Sequence, residues 1–114
     1  MKGKVMREAI LAQLGALRAD AGVELVACKD EGVGDYLTGK ADALAVAMQM
    51  VEAKALIETM TCFLRHEETR NMNLAESARL CSKDTMARLR EGAAAGYMAA
   101  SRVVTEVREA NKYE

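Results

Sequence analysis

The side chains best suited to metal chemistry are three cysteines and the single histidine. Cys62 and His66 are four residues apart, so a helix would place both on one face, as two ligands of one metal ion require. Cys28 and Cys81 would complete a set of four ligands. However, the chain has no Cys-x-x-Cys pair, and isolated ligands indicate a metal site only weakly. We therefore predict no metal and no cofactor, with Cys62 and Cys81 as small buried residues and His66 at a polar helix end.

Residues 74–91 resemble the outline of a helix-turn-helix and form a second candidate site. The second helix of such a motif would present Lys83, Arg88 and Arg90 to DNA. The surrounding segment, residues 65–91, has six basic and five acidic residues, so its charge gives DNA binding little support. An ordinary helical hairpin is the preferred interpretation, and DNA binding is kept as an alternative.

Neither an anion site nor a catalytic site is predicted. Thr38-Gly39-Lys40 would hold an anion at a helix start, but the chain lacks the glycine-rich sequence of a phosphate loop, so a plain N-cap is expected. A di-iron bundle would need Glu-x-x-His pairs, and none occurs. With one histidine no triad can form, and we predict that the protein is not an enzyme. The carboxylates considered are those of Glu52, Glu58, Glu67 and Glu68.

The composition predicts a single all-α domain that covers residues 1–114. Apolar residues make up 51% of the chain and aromatic residues 4%, so Leu, Val, Ile, Met and Ala must build the core. The formal net charge of −1 makes nucleic acid an unexpected partner. No signal peptide and no stretch of transmembrane length is present, and three cysteines cannot all pair. We therefore expect a soluble cytoplasmic chain without an intrachain disulfide.

Apolar periodicity predicts a small helical bundle. The first helix covers Val5 to Arg18 and ends at Asp20-Ala21-Gly22. For residues 23–37 a short β-hairpin, an ordered loop and continued helix are all compatible with the sequence. One long central helix over about 41–71 follows, because no glycine or proline interrupts this segment.

Beyond the long helix, short helices are predicted over 74–81 and 83–91. Gly92 is expected to interrupt the chain, and a last helix covers 93–112. Gly96 in that helix costs roughly 1 kcal/mol relative to alanine, so its presence predicts a notch where another helix backbone approaches closely. The alternative is a loop over 92–96, with the helix starting later.

The predicted long helix is apolar on two faces. One face has the three- and four-residue spacing of a coiled-coil seam, and a second apolar face lies beside it. A helix of this kind is covered on more than one side, and we expect a second subunit to cover one of them. The predicted partner or oligomer interface comprises Val46, Met48, Met50, Val51, Ile57, Met60, Leu64, Gly96 and Ala100.

These patterns predict a non-enzymatic structural or interaction protein. It would act as a homo-oligomer or as a small subunit of a larger assembly. The sequence begins at a methionine without a tag, and ordered ends would fit a chain held in an assembly, for example a phage virion component or accessory protein. Its location would then be the virion rather than the cytoplasm. The alternatives are a DNA-binding regulator that uses residues 74–91 and a Cys/His metal sensor.

Overall fold

The computed structural model describes residues 2–112 and contains four helices joined by short connections. They are α1 (Lys2–Ala27), α2 (Glu31–Glu52), α3 (Ile57–Leu80) and α4 (Asp84–Ala110). The protein is therefore an all-α helical bundle, and this prediction is confirmed. Within the described residues no strand is present.

The β-hairpin considered for residues 23–37 is wrong. Helix α1 continues to Ala27, past the predicted end at Arg18, and α2 already begins at Glu31. Ala21 is buried, so the last turns of α1 pack against the rest of the bundle. That burial outweighs the cost of Gly22 within the helix, which is only about 1 kcal/mol.

The N-terminus of α2 lies well before the predicted N-cap at Thr38-Gly39-Lys40. Asp30 is the N-cap residue, and its Oδ1 accepts a hydrogen bond of 3.0 Å from the backbone N–H of Val33. The predicted cap residues therefore lie inside α2, where their backbone N–H groups bond to the preceding turn.

The predicted helix over 41–71 is divided between α2 and α3. Lys54 adopts a left-handed conformation with φ of 60°, although it is not glycine. Its N–H donates to the carbonyl of Val51 at 3.0 Å, and the N–H of Ala55 donates to the carbonyl of Met50 at 3.1 Å. These two bonds form a Schellman motif, which ends a helix and satisfies its last carbonyl groups.

The connection between α3 and α4 repeats this motif. Ser82 has φ of 59°, its N–H donates to Arg79, and the N–H of Lys83 donates to Ala78 at 2.8 Å. The predicted helix over 74–81 is thus the end of α3.

Helix α4 is one continuous helix. It combines the segment predicted over 83–91 with most of the predicted last helix, and Gly92 does not interrupt it. Helices α2 and α4 each contact all three other helices, whereas the described Cα atoms of α1 and α3 stay more than 8 Å apart. The centre of the bundle is therefore the pair of α2 and α4, and a single central helix over 41–71 is not observed.

Helices α2 and α4 run parallel and are unusually close, because glycines remove side chains from their contact. A Cβ atom at Gly96 would lie 2.6 Å from the carbonyl oxygen of Lys40. A Cβ at Gly92 would overlap the carbonyl of Tyr36, and one at Gly39 would overlap the carbonyl of Leu89. The close approach predicted at Gly96 therefore occurs, and the partner helix is α2 of the same chain.

The short distance between α2 and α4 gives the bundle a rhombic cross-section. Helices α2 and α4 lie on its short diagonal, so α1 and α3 are pushed to opposite corners. The molecule is accordingly flat, with extents of 49 × 29 × 21 Å. A groove opens on each side of the contact, one beside α1 and one beside α3.

The core is built from all four helices and contains most of the predicted interface. Val51, Met60, Leu64, Gly96 and Ala100 are buried by their own chain. The others of the predicted set are partly buried against the same core: Val46, Met48, Met50 and Ile57. The two apolar faces expected on one long helix are covered by the chain itself, because it folds back after α2.

Candidate functional site

A groove of about 300 Å³ lies between α2, α3 and α4 and carries most of the buried polar chemistry of the described chain. We call it the polar groove. Each helix contributes one stripe of residues at helical spacing. The lining residues are Gly39, Asp42, Ala43 and Val46 from α2, Glu67, Arg70 and Asn71 from α3, and Met86, Leu89, Arg90, Ala93 and Tyr97 from α4.

Asn71 is the buried polar residue at the centre of this groove, with only 2% of its surface exposed. Its Nδ2 donates to the backbone carbonyl of Glu67 at 2.8 Å and to the Glu67 carboxylate at 3.3 Å. Its Oδ1 accepts a hydrogen bond of 3.1 Å from Nη1 of Arg90. Asn71 therefore holds the Arg90 side chain in place and joins α3 to α4.

The Glu67 carboxylate is neutralised within the network. Its Oε2 accepts a hydrogen bond of 3.0 Å from Nη1 of Arg70, one turn further along α3. Glu67 thus has two donors, Arg70 and Asn71, which satisfy its negative charge in a partly buried position. The Glu67 side chain is only 15% exposed, and a charge-assisted hydrogen bond is stronger in such a buried position than in water.

Tyr97 closes the inner end of the groove. Its ring packs edge-to-face on Phe63, with the ring centroids 6.2 Å apart. Burial raises the pKa of the phenol above its ordinary value of 10.0, and the negative charge of Glu67 raises it further. Arg70 and Arg90 lower this pKa and Asp42 raises it, each by less than burial does.

The polar groove presents several hydrogen-bonding groups that are not fully used within the described chain. A guanidinium presents five N–H donors in a planar fork, and Asn71 occupies only one donor of Arg90. The phenol of Tyr97 can both donate and accept a hydrogen bond. Such groups are suited to hydrogen bonding with a ligand, and none of them is a strong nucleophile at neutral pH.

This groove was not predicted from the sequence, although the position of Asn71 indicates a buried polar group that needs hydrogen-bond partners. Met60, Leu64, Asn71 and Ala75 lie on one buried stripe of α3, where an amide interrupts an apolar pattern. A polar residue at such a position must find hydrogen-bond partners. Arg90 was considered only as a DNA contact in the alternative helix-turn-helix hypothesis, and Glu67 only as a carboxylate for metal binding or catalysis.

A second groove, the apolar groove, lies between α1 and α4 and has a volume of about 390 Å³. Its lining includes the apolar side chains of Leu17 on α1 and Val103 on α4. The charged side chains of Arg102 and Glu106 also line it and are exposed. All of its lining residues are Gln13, Ala16, Leu17, Ala99, Arg102, Val103 and Glu106.

One end of the bundle exposes a set of apolar side chains, which we call the apolar end. The C-termini of α1 and α3 and the N-termini of α2 and α4 meet there. Val26 is 88% exposed and Leu80 is 80% exposed, far more than apolar side chains in a core. The full set is Val23, Val26, Val33, Leu80 and Met86.

The cysteines and the histidine are not brought together. Cys62 and Cys81 are exposed rather than buried, so the expected burial of these two residues is wrong. His66 is also exposed, one turn from Cys62 on α3, while Cys28 lies in the connection between α1 and α2. Within the described residues, no group of three or more His, Cys, Asp or Glu side chains is placed to hold a metal ion. The metal-sensor hypothesis stays a prediction.

The residues predicted to bind DNA lie at the start of α4. Lys83 is exposed beside the turn, and the Arg88 side chain packs over Gly32 of α2. Arg90 is turned inward toward Asn71. Helices α3 and α4 form a long antiparallel hairpin, in which Arg79 pairs with Glu91 and Glu58 lies 3.6 Å from Arg108. DNA binding through this segment stays a prediction.

A scan against protein-family models, a search of curated proteins and a search of solved structures each give no match for this chain. Among the described helices, none combines the length and apolar character needed to cross a membrane.

Proposed function

We propose that this chain is a non-enzymatic interaction protein that associates with copies of itself through the apolar end. The concentration of exposed apolar side chains at one end carries the proposal. Nine large apolar side chains of the described residues are exposed, and five of them lie there. Single exposed apolar residues are ordinary, whereas a group of them is typical of a protein contact.

The charges at the apolar end favour a second copy as the partner. Two helix C-termini and two helix N-termini meet there, so partial negative and positive charges occur on one surface. Exposed side chains of both signs lie there, with Lys29 and Lys83 basic and Asp30, Glu31 and Asp84 acidic. In a two-fold dimer, basic groups of one copy can face acidic groups of the other, as in self-complementary dimer interfaces.

This proposal replaces the interface predicted from the apolar seam. Residues that their own chain buries cannot contact a partner while the fold is intact, and this applies to Met60 and Leu64. Membership of a larger assembly, such as a phage virion, is a broader form of the same proposal. In that case the apolar end would contact a different protein.

Sedimentation equilibrium of paired variants tests the proposal. We expect the wild-type chain to form dimers or larger oligomers, and Leu80→Glu to shift it toward monomer without changing its melting temperature. Leu56→Glu is the matched control, because Leu56 is 70% exposed at the opposite end of the bundle. A wild-type chain that stays monomeric at high concentration would overturn the proposal, as would equal effects of the two substitutions.

A further inference from the structure

We propose that the polar groove is a binding site for a small zwitterion, namely a free α-amino acid with an apolar side chain. The Arg90 guanidinium would bind its carboxylate, and the Asp42 carboxylate would bind its ammonium group. This inference does not require self-association, because the groove lies along the side of the bundle between α2, α3 and α4, and only Met86 belongs to both the groove and the apolar end.

The balance of charges favours a zwitterion over a simple ion. The groove contains two guanidinium groups and two carboxylates, so neither a free anion nor a free cation meets a net opposite charge. Arg70 and Glu67 neutralise each other. The remaining pair, Arg90 and Asp42, is opposite in sign but does not form an ion pair within the described structure.

Both remaining groups, Asp42 and Arg90, are available for hydrogen bonding, and both line the polar groove. Asp42 is exposed on α2 and has no hydrogen bond or ion pair within residues 2–112. Arg90 uses one of its five donors on Asn71, which fixes the guanidinium and leaves the other donors for a carboxylate. Asp42 and Arg90 line the same groove as Tyr97, from α2 and α4 respectively.

The shape of the groove sets the size of the ligand. Its volume of about 300 Å³ is at the lower end for ligand pockets. One part of the lining has no large side chains, because it is formed by Gly39, Ala43 and Ala93. Val46 adds an apolar contact beside it. A short aliphatic side chain fits this surface, while the Tyr97 hydroxyl offers a third polar contact to the ligand.

Titration with matched probes tests the proposal. The probes are L-alanine, L-valine and L-leucine, with acetate and ethylammonium as the two separate halves of a zwitterion. Nuclear magnetic resonance would follow the side-chain amide of Asn71 and the ring of Tyr97. We expect saturable chemical-shift changes with at least one amino acid. Acetate and ethylammonium should each bind at least tenfold more weakly, because acetate lacks the ammonium group and ethylammonium lacks the carboxylate.

Two variants assign the contacts. Asp42→Asn should weaken amino-acid binding about tenfold and leave the folded spectrum intact, since Asp42 is exposed and unpaired. Asp20→Asn is the control, because it removes an exposed carboxylate from α1 at a distance from the groove. Arg90→Lys should also weaken binding, since an ammonium group cannot offer the planar fork.

Several outcomes would overturn the zwitterion site: no saturable shift with any of the three amino acids, acetate binding as tightly as the amino acids, or equal effects of Asp42→Asn and Asp20→Asn. The same titration on Leu80→Glu separates this inference from the proposed self-association. Binding should persist in that variant, whether or not the wild-type chain is an oligomer.

Discussion

The polar groove lies between α2, α3 and α4 and the apolar groove between α1 and α4, and their volumes are similar at about 300 and 390 Å³. Their walls are held together in different ways. Across the polar groove, Arg90 of α4 is hydrogen-bonded to Asn71 of α3. Across the apolar groove, no hydrogen bond or ion pair joins the described parts of α1 and α4, and Leu17 and Val103 are in an apolar environment.

Helix α4 therefore makes a firmly positioned contact with α3 and a more adaptable contact with α1. A satisfied buried hydrogen-bond network allows only one register between α3 and α4, because a shift would leave Asn71 unpaired. Apolar packing has no such directional requirement and tolerates rearrangement at modest cost. We therefore expect the groups of the polar groove to be preorganised, while α1 is the helix that moves most easily.

Gly92→Ala tests how strongly the bundle depends on the glycine contact between α2 and α4, which forms part of the polar groove. The new Cβ would overlap the backbone carbonyl of Tyr36, so α2 and α4 must separate. Backbone cannot give way as a flexible side chain can, and we expect a loss of about 3 kcal/mol in the free energy of unfolding. Urea denaturation measures this loss.

Gly22→Ala is the matched control for the same chemical change in a helix. A Cβ at Gly22 would meet no atom within 4 Å, so alanine should stabilise the protein by about 0.5–1 kcal/mol through its higher helix propensity. If both substitutions were stabilising, a Cβ atom at position 92 could not be in steric conflict with the backbone of α2.

Asn71→Ala tests the polar groove alone and should have the next largest effect. It removes the acceptor for Arg90 and the amide that donates to Glu67. We expect a loss of about 2 kcal/mol in the free energy of unfolding, together with faster amide hydrogen exchange at the α3–α4 contact. Asn73→Ala, at an exposed position of the same helix, should stay within about 0.5 kcal/mol of wild type. Equal losses from the two substitutions would contradict the role given to the network.

The sequence was sufficient to predict the helical class and the close approach at Gly96, but not the positions where the chain turns. Lys54 and Ser82 adopt the left-handed conformation at the two Schellman motifs, a role that glycine usually fills. Neither residue type indicates such a turn. Without a glycine or proline, the apolar pattern of α2 and α3 is equally consistent with one long helix.

The polar groove was harder to predict because its members come from three helices. Asp42, Asn71 and Tyr97 are separated by 29 and 26 residues in the chain, and no local motif joins them. Their proximity depends on the parallel pairing of α2 with α4, which follows from the glycine contact rather than from any one helix. Asn71 within an apolar stripe predicts a buried polar network but not its partners.

Tyr97→Phe should have the smallest effect, and only in alkaline solution. Burial, with Glu67 as the next cause, raises the pKa of this phenol above 10.0, so the folded protein holds the phenolic proton more tightly than the unfolded chain does. This contribution to stability is fully present below pH 10 and is lost as the pH rises through the higher pKa of the folded state. Wild type should therefore lose stability above pH 10 more steeply than Tyr97→Phe, while the two agree closely at neutral pH. Denaturation at a series of alkaline pH values would measure this, with Tyr36→Phe as the control; parallel stability curves for wild type and Tyr97→Phe would mean that the phenol is not shielded from solvent.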